Sequence, residues 1–167
     1  MKQDGTVNPE AGSAGKACDG RLELRDGEMH LRLKGVREAC PEREELAARY
    51  FDICLEDGTR VGNCELRIGR NDRTAVSGNI GFGVYPAWRG HHFAARAVRL
   101  LLGLAAEAGM QEVLITCDPG NRASARSCEL AGGVLLGPAE IPPEHPLCRE
   151  GKRRVLVYRF EAGKSGK

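Results

Sequence analysis

Val84-Tyr85-Pro86-Ala87-Trp88-Arg89-Gly90-His91-His92-Phe93-Ala94 joins two segments of different periodicity. Before it, Asn79-Ile80-Gly81-Phe82-Gly83-Val84 reads as an extended run, and its two glycines imply that something approaches the backbone closely. After it, Ala94, Ala97, Val98, Leu101, Leu102, Ala105 and Ala108 recur at three- and four-residue steps, with Arg96, Arg99 and Glu107 off the stripe. This pattern predicts an amphipathic helix closed by Gly109. A helix start offers unpaired N–H groups and a positive dipole end, so a strand–turn–helix junction here suits a pyrophosphate. Arg89 adds a fixed positive charge, and Gly90 lets an anion come near the backbone. The same spacing also fits a plain helix start with an incidental arginine. Neither the Gly-Lys-Ser/Thr ending of a Walker loop nor a G-x-G-x-x-G fingerprint is present.

Upstream, Leu22 and Leu24 alternate with polar residues, Asp26-Gly27 turns the chain, and Met29, Leu31 and Leu33 alternate again, which signals a hairpin. Pro41 to Glu45 opens a short helix by its proline and acidic residues. Phe51, Ile53 and Leu55 lead through Asp57-Gly58 to a run over 61–68, and 69–77 reads as a polar loop. Downstream, 112–117 reads as a buried strand, 122–131 as a short helix, 134–136 as a brief strand, 138–146 as a Pro-rich connection and 154–160 as the last strand. Antiparallel strands followed by alternating strands and helices predict a mixed α/β fold, with a largely antiparallel central sheet of about six to seven strands and helices on both faces. Residues 1–19 and 162–167 carry no periodicity and read as disordered tails around a domain over 20–161.

The 167 residues are 41% hydrophobic and 29% charged, and 25 basic against 23 acidic residues leave a net charge of only +2. A nucleic-acid binder concentrates basic charge more strongly. No apolar run approaches the roughly 18 residues of a membrane span, and the first residues lack a signal-peptide core, so neither membrane insertion nor secretion is expected. Seven cysteines with no C-x-x-C pair, and four histidines not spaced as zinc ligands, point to reduced thiols in the cytoplasm and no metal.

Arg89-Gly90-His91-His92-Phe93-Ala94 resembles the R/Q-x-x-G-x-G/A acetyl-CoA loop of the GNAT N-acetyltransferase superfamily, with Ala94 in its last place. Asn121-Arg122-Ala123-Ser124 is similar to that superfamily's Asn-x-x-Ala/Ser element, and Glu129 to Gly133 to the end of its following helix. The resemblance extends from Val61 to Leu136. It implies a cleft where two neighbouring strands splay, with acetyl-CoA as co-substrate. By position, the backbone of Phe82, Gly83 and Val84 would bond the pantetheine arm, and the N–H groups of Gly90, His91, His92, Phe93, Ala94 and Ala95 the pyrophosphate. Arg89 would start that loop, Asn121 would reach the pantetheine, and Ser124 would lie beside it.

Three positions depart from the family's pattern. His92 stands where the loop usually has Gly, Thr116 where some members carry a Glu base, and Cys128 where many have a Tyr that protonates the departing thiolate. The implied reaction is direct acetyl transfer to a primary amine of a small molecule or protein N-terminus, by a monomer or homodimer. The Val84 N–H would steady the oxyanion, Glu65 is the candidate base and Cys128 the candidate acid. On sequence alone a buried cysteine at Cys128 is more often a packing residue, and a lone glutamate on a half-exposed strand, as at Glu65, more often a solvated one. The acceptor would be lined by 37–50, 69–77 and 137–151. A non-catalytic acyl-CoA-binding domain is the alternative reading.

Overall fold

The computed structural model describes residues 15–18 and 21–163. In chain order, β1 (Gly15–Cys18), β2 (Arg21–Arg25) and β3 (Met29–Arg37) precede a 3-10 turn at Pro41–Arg43, followed by β4 (Ala47–Leu55) and β5 (Arg60–Ile68). Then come α1 (Asp72–Ser77), β6 (Ile80–Val84), a 3-10 turn at Pro86–Trp88 and α2 (Phe93–Glu107). The chain ends with β7 (Glu112–Cys117), α3 (Arg122–Leu130), β8 (Val134–Glu140), α4 (Pro146–Arg149) and β9 (Arg154–Glu161).

β1 to β6 pair antiparallel in sequence order, and β7, β9 and β8 form a second antiparallel sheet with β9 central. The fold is the mixed α/β arrangement that the periodicities predict, with the strands divided into two sheets between β6 and β7. The β2–β3 hairpin forms because Asp26 Oδ1 accepts from the N–H groups of Glu28 and Met29, at 3.1 and 3.0 Å, which bends the backbone at Asp26-Gly27.

The apolar stripe of α2 is buried: Ala97, Val98, Leu101 and Ala105 are all 0% exposed. It shares one core with Leu31, Phe51, Ile53, Leu66 and Ile80 of the larger sheet and with Val113, Ile115, Tyr158 and Phe160 of the smaller one. Each fully buried Val, Leu, Ile or Phe contributes roughly 1.5–3 kcal/mol, so this face carries most of the stability. Alternation along β9 turns Val155 and Val157 to the opposite face, where they pack with Val76 of α1, Ile141 and Leu147 of α4. Helices therefore cover both faces.

The structure differs from the sequence expectations at several points. The segment 69–77, expected as a loop, contains α1, whose Asn71 and Thr74 cap each other reciprocally. Pro41–Arg43 makes a single 3-10 turn in place of a short helix, closed by Glu44 in the left-handed region. β8 runs on to Glu140 through Pro138, and Pro146–Arg149 is helical. Gly15–Cys18, counted with the N-terminal tail, pair with β2. Ala162 and Gly163, counted with the C-terminal tail, donate to Gln111 O and Leu102 O at 3.0 and 3.1 Å. The rest of both expected tails lies outside the described residues. No helix among the described residues is long and apolar enough to cross a membrane.

Candidate active site

The division between the sheets is made by one residue. Asn79 is 3% exposed and sits just before β6. Its N–H donates to Leu114 O at 2.6 Å, and its side-chain Oδ1 accepts from Leu114 N at 3.0 Å. Its Nδ2 donates to Arg67 O and Gly69 O at 3.1 and 2.7 Å. The amide thus takes the place of a strand ladder between β6 and β7. Gly78 beside it has φ +72°, and a Cβ there would stand 2.9 Å from Leu114 O, so only glycine lets α1 end against β7.

The phase of the β5–β6 ladder decides which backbone groups of β6 are free. Tyr85 N donates to Val61 O at 2.9 Å and Arg67 N to Asn79 O at 2.7 Å. Bonded and non-bonded pairs alternate in an antiparallel ladder. Hence Asn63–Gly83 and Glu65–Gly81 exchange bonds, while Gly62–Val84 and Cys64–Phe82 do not. The N–H and C=O of Phe82 and Val84 turn away from β5, to the side where β7 lies. Gly83, expected to offer its backbone as well, spends it on Asn63; its contribution is an exposed position without a side chain.

Beyond Val84 the chain turns through Pro86–Trp88, and the first bond of α2 is Arg96 N to His92 O, at 3.1 Å. His92 caps the helix in the left-handed region, φ 62° and ψ 22°, with no side-chain bond to it. The N–H groups of Phe93, Ala94 and Ala95 are thus left to an outside acceptor, at the positive end of the helix dipole. Gly90 has φ +87° and, like His91 and His92, is exposed. This geometry explains why the family pattern has Gly at His92: the position needs a positive φ. Arg89 folds back so that its Nε donates to Val84 O at 3.1 Å, tying the loop to the strand.

Asn121 is the N-cap of α3, its Oδ1 accepting from Ser124 N at 3.1 Å, so these two expected site residues are joined as a helix cap. Thr116, at the position of the family's Glu, donates its hydroxyl to Val76 O at 2.7 Å and fastens α1 to β7. Cys128 is 0% exposed in the main core, and burial, with Cys117 nearby, pushes its thiol up to about 12. The structure therefore places this candidate acid among packing residues, away from solvent.

Glu65 is half-buried on the face of β5 opposite α2, cross-strand from Gly81. A Cβ on Gly81 would stand 3.0 Å from Glu65 Oε1, so the glycine gives the carboxylate room to lie along β6. Arg67 Nη2 binds the same oxygen, and Arg67 Nη1 donates to Ser77 O and Gly78 O at 3.2 and 2.9 Å. The base candidate is thereby held beside the sheet junction by a guanidinium anchored to the end of α1. The sequence offered a signal for α1 in the Asn71-x-x-Thr74 spacing, but none for Asn79 or Arg67, whose partners are distant in the chain.

The acetyltransferase (GNAT) domain family matches residues 20–134, and the chain belongs to this family. Its fold is shared with the ribosomal-protein-S5-alanine acetyltransferase from Vibrio fischeri, at 16% identity and TM-score 0.53 over 72% of this chain and 64% of that one. It is also similar to Mycobacterium smegmatis RimJ in complex with CoA-disulfide, at 21% identity and TM-score 0.55 over 71% of this chain and 56% of that one. A third similar structure is the microcin C7 self-immunity acetyltransferase MccE with acetyl-CoA and AMP, at 18% identity and TM-score 0.52, over 68% and 61%. The chain thus spans less than two thirds of the length of each of these three structures. Among curated proteins nothing matches.

Proposed function

We propose that the chain, through a domain over 20–161, transfers an acetyl group from acetyl-CoA to a primary amine while both are bound. The observation that carries this reading is the junction of two unpaired donor sets. The outward N–H groups of Phe82 and Val84 lie on the strand that leads directly into the uncapped N-terminus of α2. The first set suits an extended amide-bearing arm and the second a pyrophosphate. Asn121, exposed at the start of α3, borders the same slot by the family's pattern.

In the reaction the amine nitrogen bonds to the thioester carbon, the C–S bond breaks, and the amine loses a proton while the sulfur gains one. Val84 N–H is the donor assigned to the oxyanion, because the ladder leaves it free and rigid strand geometry fixes its aim. Glu65 takes the amine proton directly or through water, from the face opposite α2. Cys128 is poorly matched as the acid: a thiol pushed to about 12 holds its proton more tightly than an ordinary departing thiol, whose reference value is about 8.5. Solvent is assigned that step. The six free cysteines among the described residues support a reducing, cytoplasmic setting.

The test is a panel of small amines and peptides with acetyl-CoA, read as released thiol, beside calorimetry of CoA binding. Binding with turnover on at least one amine is the expected result. Binding without turnover on any amine points to the acyl-CoA-binding reading, and absence of binding overturns both.

A further inference from the structure

The face of the larger sheet away from α2 carries a charged cluster that the acetyl-transfer reading does not use. Asp52, at the middle of β4, is 6% exposed, and its Oδ1 accepts no hydrogen bond. Three long cations surround it: Arg32 Nη2 stands 3.5 Å from Oδ2, with Lys34 Nζ and Arg60 Nη1 at 3.7 and 3.6 Å from Oδ1. These distances are charge contacts rather than good hydrogen bonds. The three side chains are 39 to 51% exposed, so their ends remain open to solvent.

The arrangement is built by the backbone. Leu33 pairs with Phe51 but Gly35 with Tyr50, so Lys34 is the extra residue of a bulge in β3. Arg32 and Lys34, two residues apart, lie by strand alternation on the one face of β3 that stands over Asp52. Arg32, Leu33, Lys34, Gly35 and Asp52 line an open cavity of about 390 Å³. Glu23, cross-strand from Arg32, is bound by Arg25 at 2.7 Å, and Arg25 also binds Glu56 at 3.0 Å, so this neighbouring trio carries one net negative charge.

Three cations around one carboxylate, even beside that trio, leave the cavity net positive. We infer that Arg32, Lys34 and Arg60 form a subsite for a phosphate or carboxylate group, with Asp52 holding the three cations in convergence. The cluster is continuous with the proposed active site. Asp52 pairs with Asn63 and Asn63 with Gly83, which puts the subsite two strands, about 10 Å, from β6 on the Glu65 face. Arg60 also lies over the Tyr85 ring, at 5.6 Å, beside the loop leading to α2. An anionic group bound there belongs either to the acceptor, an amine carrying an acid about 10 Å from the nitrogen, or to the phosphates of the cofactor. This assignment of ligand chemistry rests on the acetyl-transfer reading; the anion subsite itself does not.

The experiment starts with the full chain and inorganic phosphate, followed by backbone amide NMR. Saturable shifts at 32–35, 50–52 and 60 are expected, separate from any at the 89–95 loop. Lys34→Gln with Arg60→Gln weakens them at least fivefold, and Asp52→Asn, which removes the one negative charge, strengthens them. Shifts elsewhere only, or equal affinity in all three proteins, overturn the subsite whether or not the chain transfers acetyl groups. The source is read from two further arms. If the cofactor supplies the anion, the double variant brings CoA affinity down to that of 3′-dephospho-CoA. If the acceptor supplies it, both cofactor affinities stay fixed and the variant raises the KM of a carboxylate-bearing amine several-fold, but not that of its amide. A double variant that changes neither arm overturns the link to the active site.

Discussion

Asn79 grips Leu114 from both sides, donating its backbone N–H to the Leu114 carbonyl at 2.6 Å and accepting the Leu114 N–H on its side-chain oxygen at 3.0 Å. With the two further bonds to Arg67 O and Gly69 O, the buried amide satisfies every one of its own polar groups. Asn79→Ala leaves Leu114 N, Arg67 O and Gly69 O without these partners. An unmet buried group costs about 1–3 kcal/mol, so a loss of about 3 kcal/mol is expected in urea denaturation. Asn79→Ala is also expected to reduce CoA binding by more than any other substitution of similar destabilisation, because it loosens the sheet junction.

His92 holds a left-handed conformation that costs a non-glycine residue roughly 1–2 kcal/mol. His92→Gly relieves that strain and increases the freedom of the unfolded chain, two effects that partly cancel. Thermal unfolding should show a gain of up to about 1 kcal/mol. A clear loss would mean that the imidazole makes a stabilising contact outweighing the strain.

Arg89→Ala removes a fixed charge beside the uncapped end of α2 and the bond to Val84 O. Calorimetry should show CoA affinity weakened by about 1–3 kcal/mol, the scale of a charge-assisted hydrogen bond. Fold stability should change little, since Arg89 is exposed.

Glu65→Gln keeps the shape of a side chain lying over Gly81 but removes its basicity. The expected outcome is a fall in kcat of about tenfold with CoA affinity unchanged. This is below the 10²–10⁴ range of a general base with no substitute, because water reaches this half-buried face. An unchanged pH–rate profile together with an unchanged kcat would remove Glu65 from the chemistry.

The buried thiols set the alkaline limit of stability. Burial pushes Cys128 from its ordinary 9.0 to about 12, and Cys64 is pushed up as well, by burial first and then by Glu65. Above 9.0 the unfolded thiols ionise while the folded ones keep their protons. The folded state then binds more protons, so stability falls with rising pH, by about 1.4 kcal/mol per unit for each such thiol. Cys128→Ala should flatten the decline between pH 9.0 and about 12 while costing stability at neutral pH through the cavity it leaves. Equal slopes in both proteins would contradict this account.

The elements that periodicity can report were legible. The stripe from Ala94 to Ala105, the alternation in β3 and β4 and the Asp-Gly turns all carry their information within a few residues. The α2 loop was legible for the same reason, although its left-handed residue at His92 was not, since no local rule demands a positive φ from a histidine. What the sequence hid depends on partners far along the chain. Asn79 looks like a loop residue until Leu114 is beside it, and Arg67 like a solvated strand residue until the end of α1 is in reach. Cys128 marked a plausible acid by position, but its depth is set by the packing of α3 on β7 and β9. The bulge at Lys34 has only the neighbouring Gly35 as a sequence mark, because one extra residue in a strand is otherwise visible only against its partner.

The bond from Arg89 to Val84 O has an optical consequence. Arg89 directly follows Trp88, the one tryptophan in the chain, whose indole is packed partly against the main core. A phosphate drawn to the guanidinium competes with that carbonyl and shifts the residue that follows the tryptophan. The chain therefore carries its own emitter at the loop, free of background from any second tryptophan. Ligand engagement can be followed by intrinsic fluorescence in unlabelled protein, before any acceptor amine has been found.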